Sequence, residues 1–123
     1  MKRKVLYILL STLLFTGFCI WLRFAFGFFT SYNFLTARQD INGGRIQIIE
    51  LGELMPDYDK RQELAHSFGF SFLQFGCEED FGSVNGIKYY NQEMIHCLEE
   101  IHGNGWWNKF QSQLDSINVS NSK

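Results

Sequence analysis

The sequence predicts an α/β chain: one N-terminal transmembrane helix, then a small domain with a β-α-β crossover unit and two C-terminal helices. An α+β arrangement is the alternative class. Three observations carry this. Val5 to Leu22 is a run of eighteen residues without a charge. Two short β-prone segments, 45–51 and 70–75, flank one helical segment, and the whole is about the thirty residues of a parallel crossover. From Ile87 to Ile101, apolar residues recur at helical spacing.

The head comes first. A span needs about 17–25 apolar residues, whereas the apolar region of a cleaved signal is about 7–15 long. The run is followed by Arg23 and by aromatics (Trp21, Phe24, Phe26, Phe28, Phe29) suited to a membrane interface, and the guanidinium of Arg23 can snorkel to the headgroups. The expected reading is an uncleaved anchor over residues 5–22, extending to 29 if the aromatics join it. Two rivals stay open: a signal cleaved near Ala25-Phe26-Gly27, and a lipoprotein signal ending at Cys19, where Phe18 replaces the small residue such signals want. Lys2, Arg3 and Lys4 cluster on one flank, so that end is expected in the cytoplasm and the rest of the chain outside the inner membrane.

Charge divides the same way. Residues 1–30 carry +4 with no acid, and residues 31–123 carry −6. An acidic body argues against a nucleic-acid partner, which needs a basic surface to displace counterions. Thirteen Phe and three Trp argue against disorder.

The remaining elements follow in order. Residues 31–44 form a connecting helix or linker. Phe34, Ala37 and Ile41 favour helix, stopped by Asn42-Gly43, over a hairpin turning at Asn42-Gly43-Gly44. The small domain then spans 45–117. Arg45 to Leu51 is the first strand. Met55-Pro-Asp-Tyr-Asp59 opens a helix with a stripe of Tyr58, Leu64, Ala65 and Phe68, stopped by Gly69. Phe70 to Phe75 is the second strand, with Phe70, Phe72 and Gln74 on one face. Residues 77–86 read as a polar, glycine-bearing loop. The helix 87–101 buries Ile87, Tyr90, Met94, Cys97, Leu98 and Ile101. Gly103-Asn-Gly105 reverses the chain into a last helix from Trp106, with Phe110, Leu114 and Ile117 along its face. Residues 118–123 form a flexible tail.

Chemistry-bearing residues are sparse. Cys77 lies at the C-terminal end of a parallel strand, where open α/β sheets place ligands, with Glu78, Tyr90 and Asn91 as neighbours in any site there. Cys77 and Cys97 pair as a disulfide if the body is extracytoplasmic, closing a loop of roughly twenty residues worth about 3 kcal/mol, or else pack as reduced thiols. His66, His96 and His102 match no zinc spacing, and Glu78-Glu79-Asp80 lacks the alternation of a calcium loop. No phosphate-binding glycine pattern, nucleophile elbow or zinc-helix motif occurs, so no metal or cofactor is expected. In Gly103-Asn-Gly-Trp-Trp107, Trp106 either folds back into the core or meets a partner.

These strings, taken in order, resemble the FEKKY domain, a family of small, mostly bacterial domains. The matching features are Asp40-Ile-Asn-Gly43, Leu64-Ala65, Phe68-Gly-Phe70, Phe75-Gly-Cys77, Tyr90-Asn91, and Gly103-Asn-Gly-Trp106 with Phe110 and Asp115, covering roughly 37–117. In place of the name-giving stretch, this chain has Cys97-Leu-Glu-Glu-Ile-His102. The resemblance implies a bacterial origin and a compact domain at the cell envelope, and no reaction. The expected function is a membrane-anchored, non-catalytic interaction or structural module. A thiol-dependent enzyme or redox protein using Cys77 is the first alternative, and a lipid or amphiphile binder the second.

Overall fold

A computed structural model describes residues 1–76 and 80–120, the last three of these by backbone only. Five helices and a two-stranded parallel sheet make a mixed α and β fold in the order α1 (Lys2–Phe26), α2 (Phe34–Asn42), β1 (Gln47–Leu51), α3 (Tyr58–Ser67), β2 (Ser71–Phe75), α4 (Phe81–His102), α5 (Trp106–Ser120). The strands pair in parallel from Gln47 opposite Ser71 to Leu51 opposite Phe75, with α3 as the connection. The two expected strands thus occur, each a little shorter than predicted.

Helices lie against both faces of this small sheet. On one face Gln47 reaches Tyr90 of α4, and the ring of Phe75 meets Tyr32 just before α2. On the other, Phe72 meets Phe110 of α5, and the Arg61 guanidinium of α3 sits 5.2 Å from the centre of the Phe72 ring. Coverage of both faces explains why adjacent Ile48 and Ile49 are both buried, although their side chains point opposite ways.

Two strands leave two exposed ladders, and side-chain amides close both. Asn91 of α4 accepts from the Ile49 N–H (2.9 Å) and donates to the Ile49 carbonyl (2.8 Å). On the opposite edge, Gln62 of α3 accepts from the Phe72 N–H (2.8 Å) and donates to its carbonyl (3.2 Å), which Tyr58 also bonds (3.0 Å). Each carboxamide presents one donor and one acceptor, as the next strand would.

Several expectations are corrected. The segment 81–86 is not loop: α4 begins at Phe81, capped by the Asp80 carboxylate on the Ser83 N–H (2.9 Å). The connecting segment holds a true helix with an Asn33–Thr36 capping box, and Ala37 is fully buried, so α2 belongs to the body's core. Pro56 precedes α3, whose N-cap is Asp57 at positive φ. On the outer faces, Ile101 is 60% exposed and Cys97 only half-buried, because α4 outruns the core that covers Met94 and Leu98. The segment 118–123 is not all tail, since α5 runs through Ser120. The reversal at 103–105 stands, with Gly103 and Gly105 both at positive φ.

The ladder closures carry a measurable share of stability. Asn91→Ala removes two hydrogen bonds from a buried edge and should cost about 2 kcal/mol. Gln62→Ala should cost a similar amount, and the double variant about the sum, because the two amides act on opposite edges. Urea unfolding of the full chain in mild detergent reads all three.

Candidate functional site

Between its basic first turn and Arg23, α1 is uncharged from Val5 to Leu22, and none of its residues is buried against the body. Its last turn is nevertheless locked onto the first turns of α4. Arg23 pairs with Asp80 at 2.9 Å. Asn85 donates to the Phe24 carbonyl at 2.7 Å, satisfying a group that the helix end leaves orphaned. The Phe26 and Tyr89 rings lie 5.6 Å apart. The Ser83 N–H and then Arg23 hold the Asp80 carboxyl below its ordinary range, against the opposing effect of burial.

Glycine makes this approach possible. Gly27 ends α1 in the left-handed conformation (φ 67°), and a Cβ there would lie 2.1 Å from the Gly86 Cα. A Cβ on Gly86 would lie 2.3 Å from the Tyr32 carbonyl oxygen and 2.6 Å from the Thr30 hydroxyl, and one on Gly82 3.0 Å from the Arg23 carbonyl. Gly82 and Gly86 are four apart, hence on one face of α4. The connection 27–33 is tied down as well. The Thr30 hydroxyl sits between the carbonyls of Gly27 and Tyr32 (2.5 and 2.8 Å), and the buried Asn33 side chain donates to the Thr30 carbonyl (3.0 Å). A cavity of about 40 Å³, bordered by hydroxyls of Thr30, Ser31 and Ser83, lies beside it.

Among the described residues, the predicted site members Tyr90, Asn91 and Trp106 do not gather here. Cys77 and Glu78 lie outside the described residues, and with them the Cys77–Cys97 pairing. Cys97 is a free thiol whose pKa is raised by burial and then by Glu100. Tyr90 is fully buried, its hydroxyl donating to Asp40 (2.6 Å) and accepting from Gln47 (3.0 Å), while Arg45 pairs with the same carboxylate. Burial and then the Asp40 bond raise its pKa well above the ordinary 10.0. Asn91 is the ladder closure described above. Trp106 is buried, stacked on His102 (4.6 Å) and Phe110 (5.1 Å), with Phe68 at 5.2 Å. Each therefore serves a separate packing role. Among the described residues no group of three or more His, Cys, Asp or Glu side chains is placed to hold a metal ion.

One buried polar cluster escaped the sequence reading. Arg61 pairs with Glu50 beneath α3, and Gln74 is the cross-strand neighbour of Glu50. Glu50 Oε2, Arg61 Nε and Gln74 Oε1 have no hydrogen-bond partner among the described residues. Arg61 occupies the buried stripe of α3 because its guanidinium both lies over the Phe72 ring and pairs with Glu50. Comparison with protein-family models, with curated proteins and with solved structures finds no match to the chain.

Two outcomes are expected. Gly86→Ala, which would stabilise an ordinary helix, should here cost roughly 2 kcal/mol or more, because the atoms it meets are largely backbone. Gly17→Ala, with open space around it, should cost nothing and stabilise by up to about 1 kcal/mol in the same detergent unfolding assay. Alkaline titration should show Tyr90 ionising only well above the ordinary tyrosine value of 10.0. A raised folded-state pKa stabilises the fold below the ordinary value of 10.0, and that contribution is lost as pH climbs beyond it. Absorbance at the phenolate band, wild type against Tyr90→Phe, checks this.

Proposed function

We propose that the chain is a single-pass inner-membrane protein, with its amino end in the cytoplasm and its body outside, and that the body is a non-catalytic interaction or structural module held rigidly against the bilayer. The locking of Arg23–Gly27 onto Asp80–Gly86 carries this reading. A helix with the length and composition of α1 could also be a signal sequence or the core helix of a soluble protein. Its exposed apolar surface speaks against a core helix. The packing of its last turn speaks against removal, since cleavage at Ala25-Phe26-Gly27 would strip α4 of Arg23 and Phe24 and leave Asp80 and Asn85 without them. Eighteen uncharged residues at about 1.5 Å each span about 27 Å, close to the roughly 30 Å hydrocarbon core. The Lys2-Arg3-Lys4 cluster favours the stated orientation. An envelope placement is also what the FEKKY resemblance implies.

The non-catalytic assignment draws support from the use of Tyr90 and Asn91 as structural groups, which takes away two of the helpers a Cys77-centred reaction would need. Alkaline phosphatase fused after Lys123 should be active, since it folds only outside the cytoplasm, and the membrane-bound chain should retain residues 1–27 by intact mass. Activity of a cytoplasm-only reporter at the same position would overturn the orientation. A mature chain starting beyond Gly27 would overturn the anchor.

A further inference from the structure

In the chain that follows α1, the two most exposed large apolar side chains among the described residues are Phe81 (83%) and Phe29 (75%). Both stand at the junction just described. Phe81 follows Asp80, which Arg23 holds at 2.9 Å, and Phe29 lies two residues beyond Gly27. This placement sets their height. The backbone approaches Arg23–Gly82 and Gly27–Gly86 advance in the same sense along both helices, so α1 and α4 run side by side in one direction. The N-terminus of α4 therefore points back along α1. If Val5–Leu22 fills the hydrocarbon core, Arg23 and Asp80 lie at its outer boundary, and Phe81 with them.

The exposed face of α4 continues the pattern. Phe81, Val84 and Lys88 are all exposed and fall at i, i+3 and i+7, one face of the helix. The rise from Phe81 to Lys88 is about 10 Å, similar to the depth over which interfacial helices embed. Apolar groups thus sit at the inner end of the stripe and an ammonium at the outer, the order of acyl chain followed by phosphate along the membrane normal. Phe29 has φ 65°, a conformation that costs a bulky residue free energy, yet its ring packs mainly towards solvent.

We infer that Phe29, Phe81 and Val84 form a lipid-contacting rim that embeds in the headgroup boundary of the bilayer α1 crosses, with Lys88 at the phosphates, and that this rim fixes the height and tilt of the body. The inference rests on the membrane-span reading, and the test separates the two. The full chain, cysteines unchanged, is placed in phosphatidylcholine vesicles with the photocrosslinker p-benzoylphenylalanine replacing Phe81, Phe29, Leu13 or Ile101 in turn. All four positions are exposed, so the replacements leave the packing intact. Irradiation and mass spectrometry should find lipid adducts at 13, 81 and 29. At 101, about 30 Å along α4 from Phe81, the yield should be lower by about tenfold. Lipid adducts at 13 without any at 81 and 29 would overturn the rim and leave the span standing. Absence of lipid adducts at 13 would overturn the span and the rim with it. Chain-to-chain adducts at 81 would mean that a second copy covers this face, and equal lipid yields at 81 and 101 would mean that the body lies flat on the bilayer; either sinks the proposal.

Discussion

The backbone contact between Gly27 and Gly86 is the constraint on which the arrangement of head and body depends. At this crossing no side chain fits on either helix, so the two backbones meet directly. Only at that separation can Asn85 reach the Phe24 carbonyl and Arg23 reach Asp80. The glycines cost α4 helix propensity, about 1 kcal/mol each relative to Ala. The hydrogen-bonded contacts they admit offset that cost and replace a loose tether by a fixed joint.

From that joint, order passes through the body by a short series of specific bonds. Asn91 lies five residues beyond Gly86 on the same helix and grips the outer edge of β1. β1 carries β2 in parallel register, and Gln62 of α3 grips the far edge of β2. Two strands alone would be marginal in water. Here each strand has a strand on one side and an amide on the other, and helices over both faces. The aromatic cluster of Phe68, Phe70, Trp106 and Phe110 closes the opposite end, joining the start of α5 to the turn between α3 and β2. A rigid connection from the end of α1 to α3 follows.

Much of the fold was legible because it rests on periodicity. The apolar run of α1 marks a long helix, while the strand–helix–strand spacing and the Tyr90–Met94–Leu98 stripe report burial directly. The failures share a different cause. Gly82 and Gly86 read as loop residues because glycine weakens a helix, yet here it admits a neighbouring backbone; only their four-residue spacing hinted at a helix face. Arg61 was passed over in the α3 stripe because a charge counts as a break in a pattern, and its partner Glu50 lies eleven residues away on another element. Tyr90 and Asn91 stood out as neighbours of a site at Cys77, but their partners Asp40, Gln47 and Ile49 are more than forty residues distant, and no local rule connects them. Phe81 looked like one core aromatic among thirteen, and its exposure emerges only once α4 is seen to start there.

The charge division between head and body takes a specific structural form at the joint. In the proposed orientation, Arg23 is the one cation of the head on the outer side, where it would weaken the bias set by Lys2, Arg3 and Lys4. Asp80 lies against it, and the carboxyl there is held ionised by the Ser83 N–H as well as by Arg23. The pair therefore carries little net charge. The same carboxylate that caps α4 thus joins it to α1. One acid at the start of a helix serves local folding and docking together, because both require a fixed negative charge at that point.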